Sequence, residues 1–158
     1  MIIYEEEHRQ LTQICERLAH DARAKAIFVV DKDGQLVTDT GETKGIDTTG
    51  FASLVAGSTA ATGGLAQILG EEEFPVHFHE GNKTHVHVSV IGNELILVVI
   101  FDDRSSLGLV RLRVKKAYGQ MNTVLEALKT KMATQDNSMD LFGEITDDDI
   151  DNLFNDTF

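Results

Sequence analysis

Leu11, Ile14, Cys15, Leu18 and Ala22 recur at three- and four-residue spacing, the period of one face of a helix. They predict a first helix from about Tyr4 to Lys25, with Glu5, Glu6 and Glu7 in its first turn, where the helix dipole favours negative charge. The run Ala26–Val30 is β-branched and aromatic. It ends at Asp31-Lys-Asp-Gly34, a turn sequence, and is followed by Gln35–Thr40; together these read as a hairpin. Further on, Val76–His79 follows Pro75, the position of an edge strand. Thr84–Ile91 alternates, with Val86, Val88 and Val90 on one face and His85, His87 and Ser89 on the other. Gly92-Asn93 is a hairpin turn. Glu94–Phe101, almost wholly apolar, reads as a central strand covered on both faces. After a loop at 102–106, in which Ser105 or Ser106 can cap, the positions Leu107, Val110, Val114, Ala117, Tyr118, Met121, Val124, Leu125, Leu128 and Met132 trace the apolar face of a last helix. The order α-β-β-α-β-β-β-α, with antiparallel hairpins, predicts an α+β layered domain.

The second helix, over residues 47–69 with Asp47 as N-cap, breaks the rule that helices advertise themselves by a stripe. Between Gly50 and Gly64, twelve of fifteen residues are Gly, Ala, Ser or Thr. Gly57, Gly63 and Gly64 each cost about 1 kcal/mol relative to Ala inside a helix. The compensating property of such residues is close approach by another backbone. With the edge strand beside it, this predicts a two-fold dimer: the edge strands pair with each other and the small-residue helices lie together on the sheet's face, leaving a shallow platform for a third protein.

Charge divides the chain. Residues 133–158 hold eight acidic residues and no Lys or Arg, while the first 132 residues hold 18 acids against 14 bases. The prediction is a domain over 1–132, a flexible linker over 133–144 and an acidic amphipathic helix over 145–158. In that last piece Thr146 caps, Asp149 completes a capping box, and Ile150, Leu153 and Phe154 form a stripe. A helix this short is marginal alone, which suggests folding onto a partner; docking on its own domain is the alternative. A net charge of −12 argues against a nucleic-acid backbone as ligand. The longest apolar run, Leu95–Phe101, is far short of a membrane span. A lone Cys15 leaves no disulfide framework, and the acidic start has no basic n-region of a secretory signal. A soluble cytoplasmic protein is expected.

Candidate chemistry is sparse. His77 and His79 alternate on one strand, His85 and His87 on the next. One register brings all four imidazoles to a common face, where they could share a metal; a slip of one residue puts the pairs on opposite faces. Polar sheet-face histidines are the plainer reading, and no metal or other cofactor is assigned. No nucleophile motif and no phosphate-binding loop is present. Arg104, Arg111, Arg113, Lys115 and Lys116 cluster at the start of the last helix. They read as a solvated face, with an acidic partner or the acidic tail as alternative ligand, and Arg104 stands in a loop, where an arginine finger would have to be.

The element order with a Gly/Ala-rich central helix resembles the Roadblock family, the dynein light-chain-like dimerisation domains. The runs Ile46–Thr49, Ala52–Leu54, Gly63–Ala66, Phe78–Gly81, Val98–Asp102 and Ser106–Arg113 resemble those of its bacterial members that regulate cell polarity and gliding motility, and Thr146–Phe154 resembles the tail of the longer ones. The resemblance implies a Roadblock-like fold with a five-stranded antiparallel sheet and helices on both faces. It also implies a homodimer that binds a Ras-like small GTPase of the MglA type in its GTP form. Such a dimer speeds hydrolysis by reshaping the switch regions, without donating a catalytic residue, and is recruited to a cell pole. Carried onto this chain, GTPase contact is expected at Gly57, Ala60, Ala61, Gly63 and Gly64, a second contact through Ile150, Leu153 and Phe154, and the dimer interface at Leu54, Ser58, Val76, His77, Phe78 and His79. The alternative is a Roadblock dimerisation scaffold that activates nothing.

Overall fold

The computed structural model describes residues 1–143, with side chains described through Asn137. The element order is α1 (Glu5–Asp21), β1 (Ala26–Asp31), β2 (Leu36–Gly41), α2 (Thr48–Ile68), β3 (Val76–Glu80), β4 (His85–Ile91), β5 (Leu95–Phe101) and α3 (Leu107–Gly143). The strands form one sheet in the order β2-β1-β5-β4-β3, and every neighbouring pair is antiparallel. The wholly apolar β5 is therefore central, and β3 is an edge, as the position of Pro75 predicts.

The β1–β2 and β4–β5 hairpins are closed by local chemistry. At the β1–β2 turn the Asp31 carboxylate accepts from the backbone N–H groups of Asp33 and Gln35 at 3.0 and 2.9 Å. At the β4–β5 turn Gly92 and Asn93 both have positive φ, +59° and +60°, the pair of left-handed residues that a type I′ turn requires. Gly92 has a second reason to lack a side chain: a Cβ there would come within 2.4 Å of the Leu125 side chain.

One face of the sheet carries α1 and α3. Leu11, Cys15 and Leu18 of α1 and Val110, Val114, Met121 and Leu125 of α3 pack with Ile27, Val29, Leu97, Val99 and Phe101 of the sheet. The predicted stripe of α3 is buried from Val110 through Leu128, except that Tyr118 stays 41% exposed; Leu107 is half-buried. Burial pushes the Cys15 thiol up to about 12, so it is an inert core group. Ser106 is the cap of α3, accepting from the Leu109 N–H at 3.2 Å; Ser105 instead donates to the Ala22 carbonyl, tying the start of α3 to the end of α1.

Among the described residues the other face carries α2 alone. Asp47 caps it, accepting from the Gly50 N–H at 3.1 Å. Only Ala52, Val55 and Ala66 of its 21 residues are buried, and the core beneath is Ala26, Phe28, Val30, Val88, Ile96, Val98 and Ile100. Phe51 adds a ring against Phe28, with centroids 4.9 Å apart.

Past Lys131 the structure differs from the expected linker. Helix α3 continues to Gly143. The segment from Met132 holds Ala133, Gln135 and no proline or glycine before Gly143, so nothing in it breaks a helix already nucleated by the packed turns before it. Low hydrophobicity marks a stretch that is not buried, which is a different property from one that is not helical. The acidic piece over 145–158, with Ile150, Leu153 and Phe154, lies outside the described residues.

Candidate functional site: the open face of helix α2

The surface of α2 is the place where the fold leaves most undone. Gly57, Ala61, Gly64 and Ile68 follow one another at four-, three- and four-residue intervals and all are exposed, so they form one stripe on the side away from the sheet. A Cβ built on Gly57, Gly63 or Gly64 would meet nothing within 4 Å. The glycines are therefore not required by packing among the described residues. Large apolar side chains flank the stripe: Leu54 is 75% exposed, Leu65 58%, Ile68 83% and Leu69 69%. Exposed apolar groups grouped around a bare backbone mark an interaction surface.

The residues singled out from sequence are placed as follows. Gly57, Ala61 and Gly64 share the outer stripe, and Ala60 lies exposed beside it. Gly63 does not. It falls three residues from Ala66 and three turns from Ala52, both fully buried, and is itself half-buried on that inner side. Leu54 is on the outer surface and Ser58 is half-buried. On the edge strand, Val76 and His79 are exposed while His77 and Phe78 are half-buried.

The four histidines do not converge. In the β3–β4 register His77 lies opposite Val88, Phe78 opposite His87, His79 opposite Val86 and Glu80 opposite His85. Directly opposed residues share a face, so His77 and His79 lie on the α2 side with Val86 and Val88, and His85 and His87 lie on the side of α1 and α3. The reason is the connection. Glu80 and His85 are paired, so residues 81–84 form a four-residue loop whose parity separates the two histidine pairs. Among the described residues no group of three or more His, Cys, Asp or Glu is placed to hold a metal.

The two pairs have different surroundings. His87 is buried, with Ser89 Oγ 3.5 Å from its Nδ1; burial, and then the Arg111 charge, depress its affinity for a proton. His85 stacks among Phe78 and Phe101. His77 and His79 meet edge to face with ring centroids 5.4 Å apart. Burial first, and His79 second, hold the His77 imidazole below its usual range. Both ring nitrogens of His77 are shut off from solvent, and neither has a hydrogen-bond partner.

Arg104 is not poised as a finger. Its guanidinium donates to Asp102, with Nε–Oδ1 at 3.0 Å and Nη2–Oδ2 at 2.9 Å, and to Glu42 Oε2 at 2.7 Å. The Arg104 hydrogen bonds draw the Asp102 carboxyl down to about 2. The group thus ties the loop before α3 to the loop before α2. Arg111, Lys115 and Lys116 are exposed along α3, and Arg113 is half-buried, so most of the basic cluster is a solvated face.

One contact escaped the sequence. Glu7, read there as a dipole-matching residue, is 2% exposed and pairs through Oε1 with Lys131 Nζ. That ammonium also lies 5.4 Å from the centre of the Tyr4 ring. The three residues clamp the start of α1 to the point where α3 leaves the core. No local pattern announces a pair 124 positions apart; only the topology brings them together.

The Roadblock/LC7 domain family matches residues 11–101. Among solved structures, the chain is similar to MglB of Myxococcus xanthus, with 52% identity and a TM-score of 0.77 over 81% of this chain and 96% of that one. It is also similar to the gliding protein MglB from Thermus thermophilus, with 27% identity and a TM-score of 0.75 over 80% and 96%. A third structure, described as MglB with a tetrameric arrangement, matches with 26% identity and a TM-score of 0.75 over the same shares. The comparison with curated proteins finds no match.

Proposed function

The chain belongs to the Roadblock/LC7 family, and on that premise we propose that it is a homodimeric regulator of a Ras-like small GTPase of the MglA type, serving a gliding-motility and cell-polarity system. The observation that carries the reading is the outer stripe of α2. Gly57, Ala61 and Gly64 are open, and the two glycines carry a cost in helix propensity that no contact among the described residues offsets. The offset comes from outside. Two such helices side by side across a two-fold axis, with β3 edges paired through Val76–His79 and with Leu54 and Ser58 at the seam, make a low platform for the GTPase. Ala60, Ala61 and Gly64 face it, with Gly63 at its margin.

The regulator is not itself the catalyst. Arg104, the loop arginine that the sequence offered as a finger, is committed to Asp102 and Glu42. Acceleration then comes from selecting the switch conformation in which the GTPase's own groups are aimed at the γ-phosphate. Ile150, Leu153 and Phe154 of the acidic tail supply a second contact, which prolongs the complex by effective concentration.

The test is single-turnover GTP hydrolysis by the cognate GTPase, with binding followed in parallel. Gly64→Arg or Ala60→Arg should abolish binding and stimulation while sedimentation still reports a dimer. Undiminished stimulation by both variants would refute the α2 assignment. Removal of residues 139–158 should shorten the complex lifetime without unfolding the domain, and unchanged dissociation kinetics would limit the tail to solubility. A scaffold that activates nothing predicts binding to the GTP form with no acceleration.

A further inference from the structure

His77 and His79 form a pair of imidazoles that the described residues leave without polar partners. The two imidazoles lie on the same face of an edge strand, two residues apart, with rings in edge contact at 5.4 Å. Both nitrogens of His77 are buried without a partner, an arrangement that costs free energy for each polar group left so. Among the described residues no Asp or Glu pairs with either ring. A ring of this kind, unpaired and buried beside a second one, is what an imidazole ligand looks like before its metal arrives. One copy supplies only two ligands, and a tetrahedral ion needs more.

The missing ligands are generated by symmetry. A two-fold axis perpendicular to the sheet keeps each face on its own side, so when two β3 edges pair antiparallel, His77 and His79 of both copies stand on the α2 side in any register. With the axis at Phe78, each His77 is opposite the His79 of the second copy, and opposed Cβ atoms are about 4.5–5.5 Å apart. Four imidazoles then surround one point on the axis, under the pair of α2 helices. His85 and His87, on the other face, take no part.

We propose that the paired β3 edges create a four-imidazole site for one divalent ion of the zinc class per two chains, each copy contributing His77 and His79. The site rests on the dimer of the preceding section and is incomplete without it. Imidazole nitrogens in a tetrahedral set select Zn²⁺ and its neighbours over Mg²⁺ or Ca²⁺, which take oxygen ligands. The ion would satisfy the orphaned nitrogens and staple the two edges together.

The experiment uses the full chain, freed of any affinity tag and stripped with chelator. Zn²⁺ titration by calorimetry and Co²⁺ titration by visible absorption are run on samples whose mass is measured by sedimentation. The expected result is a dimer that takes up one ion per two chains and gives the intense visible bands of four-coordinate cobalt. His79→Gln, at an exposed position, and His77→Asn should each remove two of the four ligands. Affinity should then fall by more than about 100-fold, the upper end of what losing even an outer-sphere partner costs. His85→Gln should bind as the parent does. A stable dimer that takes up no Zn²⁺, takes up one ion per chain, or is indifferent to His79→Gln would overturn the metal site and leave the dimer standing. A monomer at all concentrations tested would overturn both.

Discussion

The α1/α3 face and the α2 face of the sheet are built from the same five strands but finished in different ways. On the first, two long helices bring leucine, valine and methionine side chains into contact with alternate strand positions, and Leu11, Cys15, Met121, Leu125 and Leu128 are fully buried. On the second, a 21-residue helix buries only Ala52, Val55 and Ala66, while Leu54, Leu65, Ile68 and Leu69 remain exposed. Apolar burial contributes about 25 cal/mol per Å², so the first face supplies most of what holds the monomer together. The second is held chiefly by its cap, its strand-facing alanines and Phe51. The contrast separates a face whose apolar side chains are spent on the core from one that leaves much of its apolar surface open.

Substitutions of similar chemistry on the two faces should break or sharpen that contrast. Leu125→Ala removes a fully buried side chain from the α1/α3 face, where Gly92 presses so close that the site has no room to rearrange. It should cost about 2–5 kcal/mol in chemical denaturation. Leu54→Ala, on the outer surface of α2, should cost less than about 0.5 kcal/mol in the monomer yet weaken self-association in sedimentation. If Leu54→Ala destabilises the isolated monomer as much as Leu125→Ala does, the two faces are not divided as argued.

A smaller effect is expected where the packed face meets the extension of α3. Lys131→Met leaves the Glu7 carboxylate buried and without its ammonium partner. An unsatisfied buried group of this kind costs about 1–3 kcal/mol. The double variant Glu7→Leu with Lys131→Met should recover much of that loss, because the isolated charge goes with its partner. No recovery would mean that the clamp acts through the lysine stem packed on Tyr4 rather than through charge.

How much of this is readable beforehand follows from the range of each interaction. The α1 and α3 stripes, the alternation of β4 and the apolar run of β5 are local patterns, and the elements stand where periodicity puts them. The small residues of α2 are visible as composition, but which of them face outward depends on the helix's orientation on the sheet. That orientation moves Gly63 inward and leaves Gly57, Ala61 and Gly64 outside. The histidine faces hinge on whether the β3–β4 loop has an even or an odd number of residues, a parity that the sequence between Glu80 and His85 does not disclose. Glu7 with Lys131, and Arg104 with Glu42, join residues 124 and 62 positions apart, beyond any local signal. The continuation of α3 to Gly143 is hidden for another reason: polar composition reads as a linker, whereas helix propensity is the property that decides.

The smallest expected effect concerns Arg104, and it bears most directly on mechanism. Its ion pairs are exposed and screened by water, so Arg104→Ala should lower thermal stability near neutral pH only modestly, by the amount that the acid limb gives up. The acid limb should be more telling. The Asp102 carboxyl is drawn from 3.8 to about 2 by its hydrogen bonds to Arg104. A folded-state value below the unfolded one means that the unfolded chain takes up the proton first. The contribution is therefore fully present above about pH 4 and is lost as pH falls toward 2. Arg104→Ala and Asp102→Asn should each flatten the acid limb of the stability profile in that window, and the two together should flatten it no further than either alone. In the GTPase assay Arg104→Ala should leave stimulation within about twofold of the parent, since an arginine that entered the active site would be worth about 10³–10⁵ in rate. A collapse of stimulation in this variant, with the acid limb unchanged, would make Arg104 a donated finger, and would move the catalytic contribution from the open face of α2 to the loop before α3.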